Sequence, residues 1–206
     1  MAHEYTSLAL LKRSLGGITD TARDDLLQGA LEAASRQVDN TCSTDLSRRR
    51  FWLDPVAVER TYRLTDRVFC EPDGDRIEVG DIGDVTGLAV AHGSALLGWT
   101  DITASIETQP DNAIADGRAV TSLLYVGGRL PTTAALRVRV TARWGWPILP
   151  PEVSRATLIQ AARLWKRQDS PEGVLGSSEW GVVRTSKVDP DVRELLREYT
   201  PITGFA

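Results

Sequence analysis

Apolar residues recur along this chain with two different periods, and the period changes twice. At the start, Leu8, Leu11 and Leu15 fall on one helical face, with Thr6 as a cap and Gly16 and Gly17 as a stop. Leu27, Leu31, Ala34 and Val38, with Ala30 beside them, predict a second helix that starts at Asp20 or Thr21 and fades near residues 39–41. Residues 43–47 read as a loop. From Phe51 to Trp146 the pattern turns to short runs rich in β-branched and aromatic residues, at 60–64, 67–70, 76–79, 88–91, 97–99, 105–108, 123–126 and 136–143. The dipeptides Asp73-Gly74, Gly80-Asp81, Gly83-Asp84, His92-Gly93, Asp116-Gly117 and Gly127-Gly128 predict turns between these strands. The last run alternates strictly, with Val138, Val140 and Ala142 on one face and Arg137, Arg139 and Arg143 on the other. Helical spacing then returns. Pro150 and Pro151 supply a first turn, Leu158, Ala161, Ala162 and Trp165 an apolar side, and Gln160, Arg163 and Arg167 the opposite one. Residues 169–187 read as a long ordered loop with at most a short hairpin. Asp189, Pro190 and Asp191 cap a final helix, whose Val192, Leu195, Leu196 and Tyr199 form a stripe ended by Pro201.

This order predicts an α+β chain: a four-helix core of two N-terminal and two C-terminal helices, with an inserted antiparallel β-subdomain. The boundaries fall at 1–46, 47–146 and 147–206. The two ends pair because a lone pair of short helices buries too little apolar face to be stable. A length of 206 residues allows one large domain or two small ones, and 42% hydrophobic with 25% charged residues excludes a wholly disordered chain. No apolar run approaches the roughly 20 residues of a membrane span, and Met1 to Tyr5 lacks the pattern of a signal peptide.

Charge sharpens the division. The net charge is −4, yet residues 66–116 hold 11 acids and 2 bases, leaving a surplus of five positive charges elsewhere. A general DNA binder is more often basic overall. Cys42 and Cys70 allow one disulfide, but two free thiols in a reducing cytoplasm fit better. The 21 arginines against 3 lysines suit a GC-rich genome.

Candidate chemistry is sparse. Of the two histidines, His3 sits at the chain start and His92 in a Gly-Ser turn, and the chain lacks HExxH, CxxC, P-loop and GxSxG motifs. The acids Asp73, Asp75, Glu78, Asp81 and Asp84 lack the ligand spacing of an EF-hand, so they read as a turn and a solvated face rather than a metal site. A general-acid pair among them is the basis of an alternative reading as an acid-dependent hydrolase. Residues 47–52, with Arg48, Arg49, Arg50, Phe51 and Trp52, either lead basically into a strand with two aromatic anchors, or grip phosphates and stack on bases as a DNA-binding accessory would. No metal, cofactor or catalytic residue is assigned.

The most informative segment is Arg143, Trp144, Gly145, Trp146, Pro147 and Pro150: a strand ends in two tryptophans and passes through prolines into a helix. Proline fixes φ and restricts the residue before it, so this predicts a rigid corner between the β-region and the helices. With its flanks, the segment resembles the head–tail connector (adaptor) proteins of long-tailed double-stranded-DNA phages. Four stretches carry the resemblance in order: the opening from Tyr5 to Gly16 with residues 24–39, residues 140–147 with Pro150, residues 167–174 followed by 180–184, and residues 189–192 with Leu195 and Leu196.

The resemblance implies a non-enzymatic virion protein, assembled in the bacterial host cytoplasm. It implies a homo-oligomeric ring of about twelve copies in the neck. That ring joins the portal protein to a tail-side neck or tail-completion protein and encloses a passage for double-stranded DNA, with no membrane partner. It makes Ser170, Pro171, Glu172, Gly173, Trp180, Arg184, Val192, Leu195, Leu196 and Tyr199 candidate contacts with neighbouring subunits or the portal. Arg163 and Arg167 are either a solvated helix face or one side of a subunit contact, and Val192, Leu195 and Leu196 alternatively complete the subunit's own core.

Overall fold

The computed structural model describes residues 3–44, 48–131, 136–168 and 189–200. Contacts divide the chain into a helical unit built from both ends, up to residue 44 and from 149 onward, and a β unit from 45 to 148.

In the helical unit, α1 (Leu8–Ser14) is capped by Ser7 rather than Thr6, because the Ser7 hydroxyl accepts the Leu10 N–H at 3.3 Å. Helix α2 (Asp24–Cys42) starts later than Asp20 or Thr21. The Asp20 carboxylate instead accepts the Ala22 N–H at 2.8 Å, closing a turn before the helix, while Asp24 and Asp25 place negative charge in its first turn. Helix α3 (Pro151–Gln168) packs against α1, α2 and α4 (Pro190–Leu196), which continues as a 3-10 turn, Arg197–Tyr199. Leu11, Leu27, Leu31, Ala34 and Ala161 form a core over which Leu158, Ala162 and Trp165 lie half-buried.

The polar side predicted for α3 is corrected. Gln160 is buried, and its amide donates to the Gln37 Oε1 at 2.6 Å. Arg163 donates to the Asp189 carboxylate at 3.0 Å, tying α3 to the cap of α4. Packing on two sides of one helix leaves it too little free circumference for a solvated polar face. Buried polar side chains there must find partners, and they find them on the neighbouring helices.

The β unit is one antiparallel sheet in the order β1-β7-β3-β6-β5, with β2 and β4 also paired to β3. The strands are β1 (Val58–Arg63), β2 (Val68–Glu71), β3 (Gly74–Ser94), β4 (Gly98–Asp101), β5 (Ile106–Gln109), β6 (Val120–Tyr125) and β7 (Arg137–Trp144). The predicted runs 76–79 and 88–91 are therefore two parts of one 21-residue strand. Gly80-Asp81 and Gly83-Asp84 are not turns but lie where the register shifts, between Glu78 and Ile82 against β6 and between Ile82 and Asp84 against β7. Glycine there serves a bulge rather than a turn. His92-Gly93 likewise belongs to β3, opposite Thr100 and Trp99, and the hairpin turn follows at residues 95–97. The alternation of β7 holds throughout: Val138, Val140, Ala142 and Trp144 are buried and the residues between them are half-buried.

Leu31 is fully buried in the helical core. Leu31→Ala should reduce stability by about 2–5 kcal/mol. Chemical denaturation followed by far-ultraviolet circular dichroism reads this, and a change below about 0.5 kcal/mol would contradict the packing described.

Candidate functional site

The tryptophan corner and the acids of β3 meet in the β unit. Asp75, Ile77 and Val79 follow one another at period two and are buried, and Asp81 is buried within the register shift between Glu78 and Ile82, where residues 79–83 are all buried. Neither belongs to a solvated face, which corrects that expectation, and each is buried with an arginine. Asp81 receives two hydrogen bonds from Arg49, at 2.9 and 3.2 Å, and a third from the Trp146 indole at 3.0 Å. Arg49 also lies 5.8 Å from the centre of the Trp146 ring, and Phe51 packs on that ring at 5.3 Å. Asp75 accepts from Arg129 at 2.6 Å and from the Leu130 N–H at 2.7 Å, while Arg129 also reaches the Gly74 and Glu71 carbonyls. The half-buried Asp84 pairs with Arg143 at 2.7 Å. Each carboxylate is thus held by its own arginine.

The backbone of the corner is equally constrained. Gly145 has φ +113°, and a Cβ there would sit 1.7 Å from the Trp52 carbonyl oxygen, so only glycine fits. Its N–H donates to the Asp81 carbonyl at 2.8 Å, the Asp54 N–H donates to the Trp144 carbonyl at 2.8 Å, and Arg143 reaches the Asp54 carbonyl at 3.1 Å. Trp144 is buried, donates to the Val58 carbonyl at 2.7 Å and carries the Arg60 guanidinium 4.3 Å from its ring centre. The segment 48–54 is therefore not a strand. It is an irregular stretch laid along the corner, with Phe51 as its buried anchor and Trp52 half-buried.

Beside the corner, Arg48, Arg50, Trp52, Asp54, Arg60 and Trp144 line a recess of about 210 Å³. Arg48 and Arg50 are exposed, and Arg50 stacks 4.9 Å from the Trp52 ring centre.

The other candidate residues lie elsewhere. In the helical unit Val192, Leu196 and Tyr199 are buried, Leu195 and Arg167 are half-buried, and the Tyr199 hydroxyl donates to Glu152 at 3.1 Å. Pro147 is half-buried and Pro150 buried. Ser170, Pro171, Glu172, Gly173, Trp180 and Arg184, with the loop predicted over 169–187, fall outside the described residues. Sequence reasoning missed the partners Arg49 and Arg129. The period-two placement of Asp75 with Ile77 and Val79 was the available signal for Arg129, whereas the register shift before Ile82 hides the burial of Asp81 from the sequence pattern.

No protein-family model and no curated protein matches the chain. Among solved structures, the chain is similar to one from the neck of an empty GTA (gene transfer agent) particle computed with C6 symmetry. The two share 18% identity with a TM-score of 0.57, over 100% of this chain and 97% of that one. At this identity the likeness establishes a shared fold: mixed helix and antiparallel sheet over the whole length. Among the described residues no helix is long and apolar enough to cross a membrane.

Trp146→Ala removes a buried ring and one partner of Asp81, and should destabilise the protein by about 3–5 kcal/mol in thermal or chemical unfolding. A change near zero would contradict the packing of the ring described. Asp75 adds a pH dependence. Burial raises its carboxyl pKa, but the Leu130 N–H and the Arg129 guanidinium outweigh this and hold it below the ordinary value of 3.8. Its contribution is complete above that unfolded-state value and disappears as the pH falls through the lower folded value. The acid limb of stability against pH should be shallower in Asp75→Asn than in the wild type; identical limbs would remove Asp75 as the cause.

Proposed function

We propose that this chain is a structural head–tail connector, a neck component of a tailed-phage-type particle. Copies assemble into a ring that joins the portal to a tail-side protein and lines the passage for double-stranded DNA. The observation that carries this reading is the fold shared, from end to end, with a protein of a phage-like neck. The four stretches of sequence resemblance support it independently. The neighbouring neck was computed with sixfold symmetry, and a ring of about twelve copies is a multiple of six. The domain division 1–46, 47–146 and 147–206, with all four helices as one core, belongs to the same reading. So do virion localisation, assembly in the host cytoplasm, and subunit or portal contacts through residues 170–184 and the Leu195 side of α4.

The arginine-held carboxylates of β3 suit a scaffold. Asp75 and Asp81 are each neutralised by a different guanidinium, whereas a general-acid pair works by sharing or exchanging a proton. Asp75 and Asp81 are therefore not such a pair. A passage through which DNA slides also disfavours strong phosphate clamping.

Electron microscopy of the purified chain, alone and mixed with portal complexes, should reveal rings or ring-bound portals. Free monomers only, with portal present, would overturn the proposal.

A further inference from the structure

Two oppositely charged recesses lie on the two units. In the β unit, Asp81 is committed to Arg49 and Trp146, so it does not neutralise the recess it borders. Among the described lining residues, that leaves the guanidiniums of Arg48, Arg50 and Arg60 with Asp54, which lies 3.6 Å from Arg60. Trp144 and Trp52 hold Arg60 and Arg50 by their ring faces. Stacking of this kind pre-orients a guanidinium while leaving its N–H edges able to bind a carboxylate. At about 210 Å³ the recess is smaller than ordinary small-molecule pockets, so it suits side chains rather than a cofactor.

On the helical unit, Glu152, Asp191, Glu194 and Glu198 rim a groove of about 460 Å³ over Leu195 and Tyr199. Among the described residues that line it, the cation is Arg197, which is paired with Glu194. This rim has the charge and side-chain length that the arginine recess would accept.

We propose that the recess formed by Arg48, Arg50, Arg60 and Trp52 is a socket for the acidic rim around Glu194 on a second copy of this chain. The inference rests on the ring reading above and names the surfaces that would join its subunits. Two different surfaces of one chain make a heterologous contact, the kind that repeats from copy to copy and closes rings. Duplex DNA is the less fitting occupant, because it presents a continuous track of phosphates whereas a recess of about 210 Å³ takes single side chains.

The test uses the full chain carrying either Arg48→Glu with Arg50→Glu, or Glu194→Lys with Glu198→Lys. All four positions are exposed, and unfolding curves confirm that each variant folds. Sedimentation of each variant alone, with portal added where the wild type needs it, should show self-association weakened by about tenfold or more. An equimolar mixture of the two variants should recover part of it, because the reversed charges again face opposites. If the wild type assembles and both variants assemble equally well, the socket is overturned while the ring reading stands. A wild type that remains monomeric with portal present overturns both. If the arginine variant loses salt-dependent binding to a duplex oligonucleotide but keeps full assembly, the recess serves nucleic acid and the inference fails.

Discussion

A carboxylate taken out of water must be paired, and the β unit is arranged around one such group. Asp81 is buried in β3, and the two elements that satisfy it come from opposite ends of the unit. Arg49 precedes β1 and Trp146 follows β7. An isolated buried charge costs several kcal/mol, so Asp81 has to bring these distant segments together. The glycines on either side make this possible. Gly80 and Gly83 sit at the register shifts where β3 changes partner from β6 to β7, and a Cβ on Gly83 would collide with the Gly145 carbonyl and Leu53. Sheet bend, tryptophan corner and the stretch from 49 to 54 thus form one mechanical piece.

The helical unit solves a related problem with polar pairs instead of a strand. Helix α3 is covered on more than one side, so polar side chains that an isolated amphipathic helix would expose are turned inward. Gln160 meets Gln37 on α2, Arg163 meets the cap of α4, and Tyr199 reaches back to Glu152. Apolar contact alone tolerates sliding, whereas each such pair has one satisfying geometry. The pairs therefore set how α2, α3 and α4 lie along one another.

Much of the charge in this chain is spent inside the subunit. Asp75, Asp81 and Asp84 each hold an arginine, and Arg163 holds Asp189. Net charge is consequently a poor guide to partners here. Local charge differs between the units: arginines beside Trp52 line a recess on one, and carboxylates around Leu195 rim a groove on the other. For a protein read as a ring-forming connector, that separation favours neighbours over nucleic acid.

The sequence by itself determined where the period is 3.6 and where it is 2, because those periods follow from local backbone geometry. The Asp189 cap, the alternation of β7 and the placing of nearly every strand were legible for that reason. So was the strand, double tryptophan and proline segment that carries the resemblance to phage connectors. Only the tertiary structure decided that two runs form one strand bent at Gly80 and Gly83, since Gly-Asp reads identically as turn or bulge until a partner strand sets the register. It alone placed Gln160 and Arg163 between helices, and Asp75 and Asp81 against Arg129 and Arg49. Burial of a polar side chain depends on what covers it, and the covering residues lie up to 123 positions away along the chain.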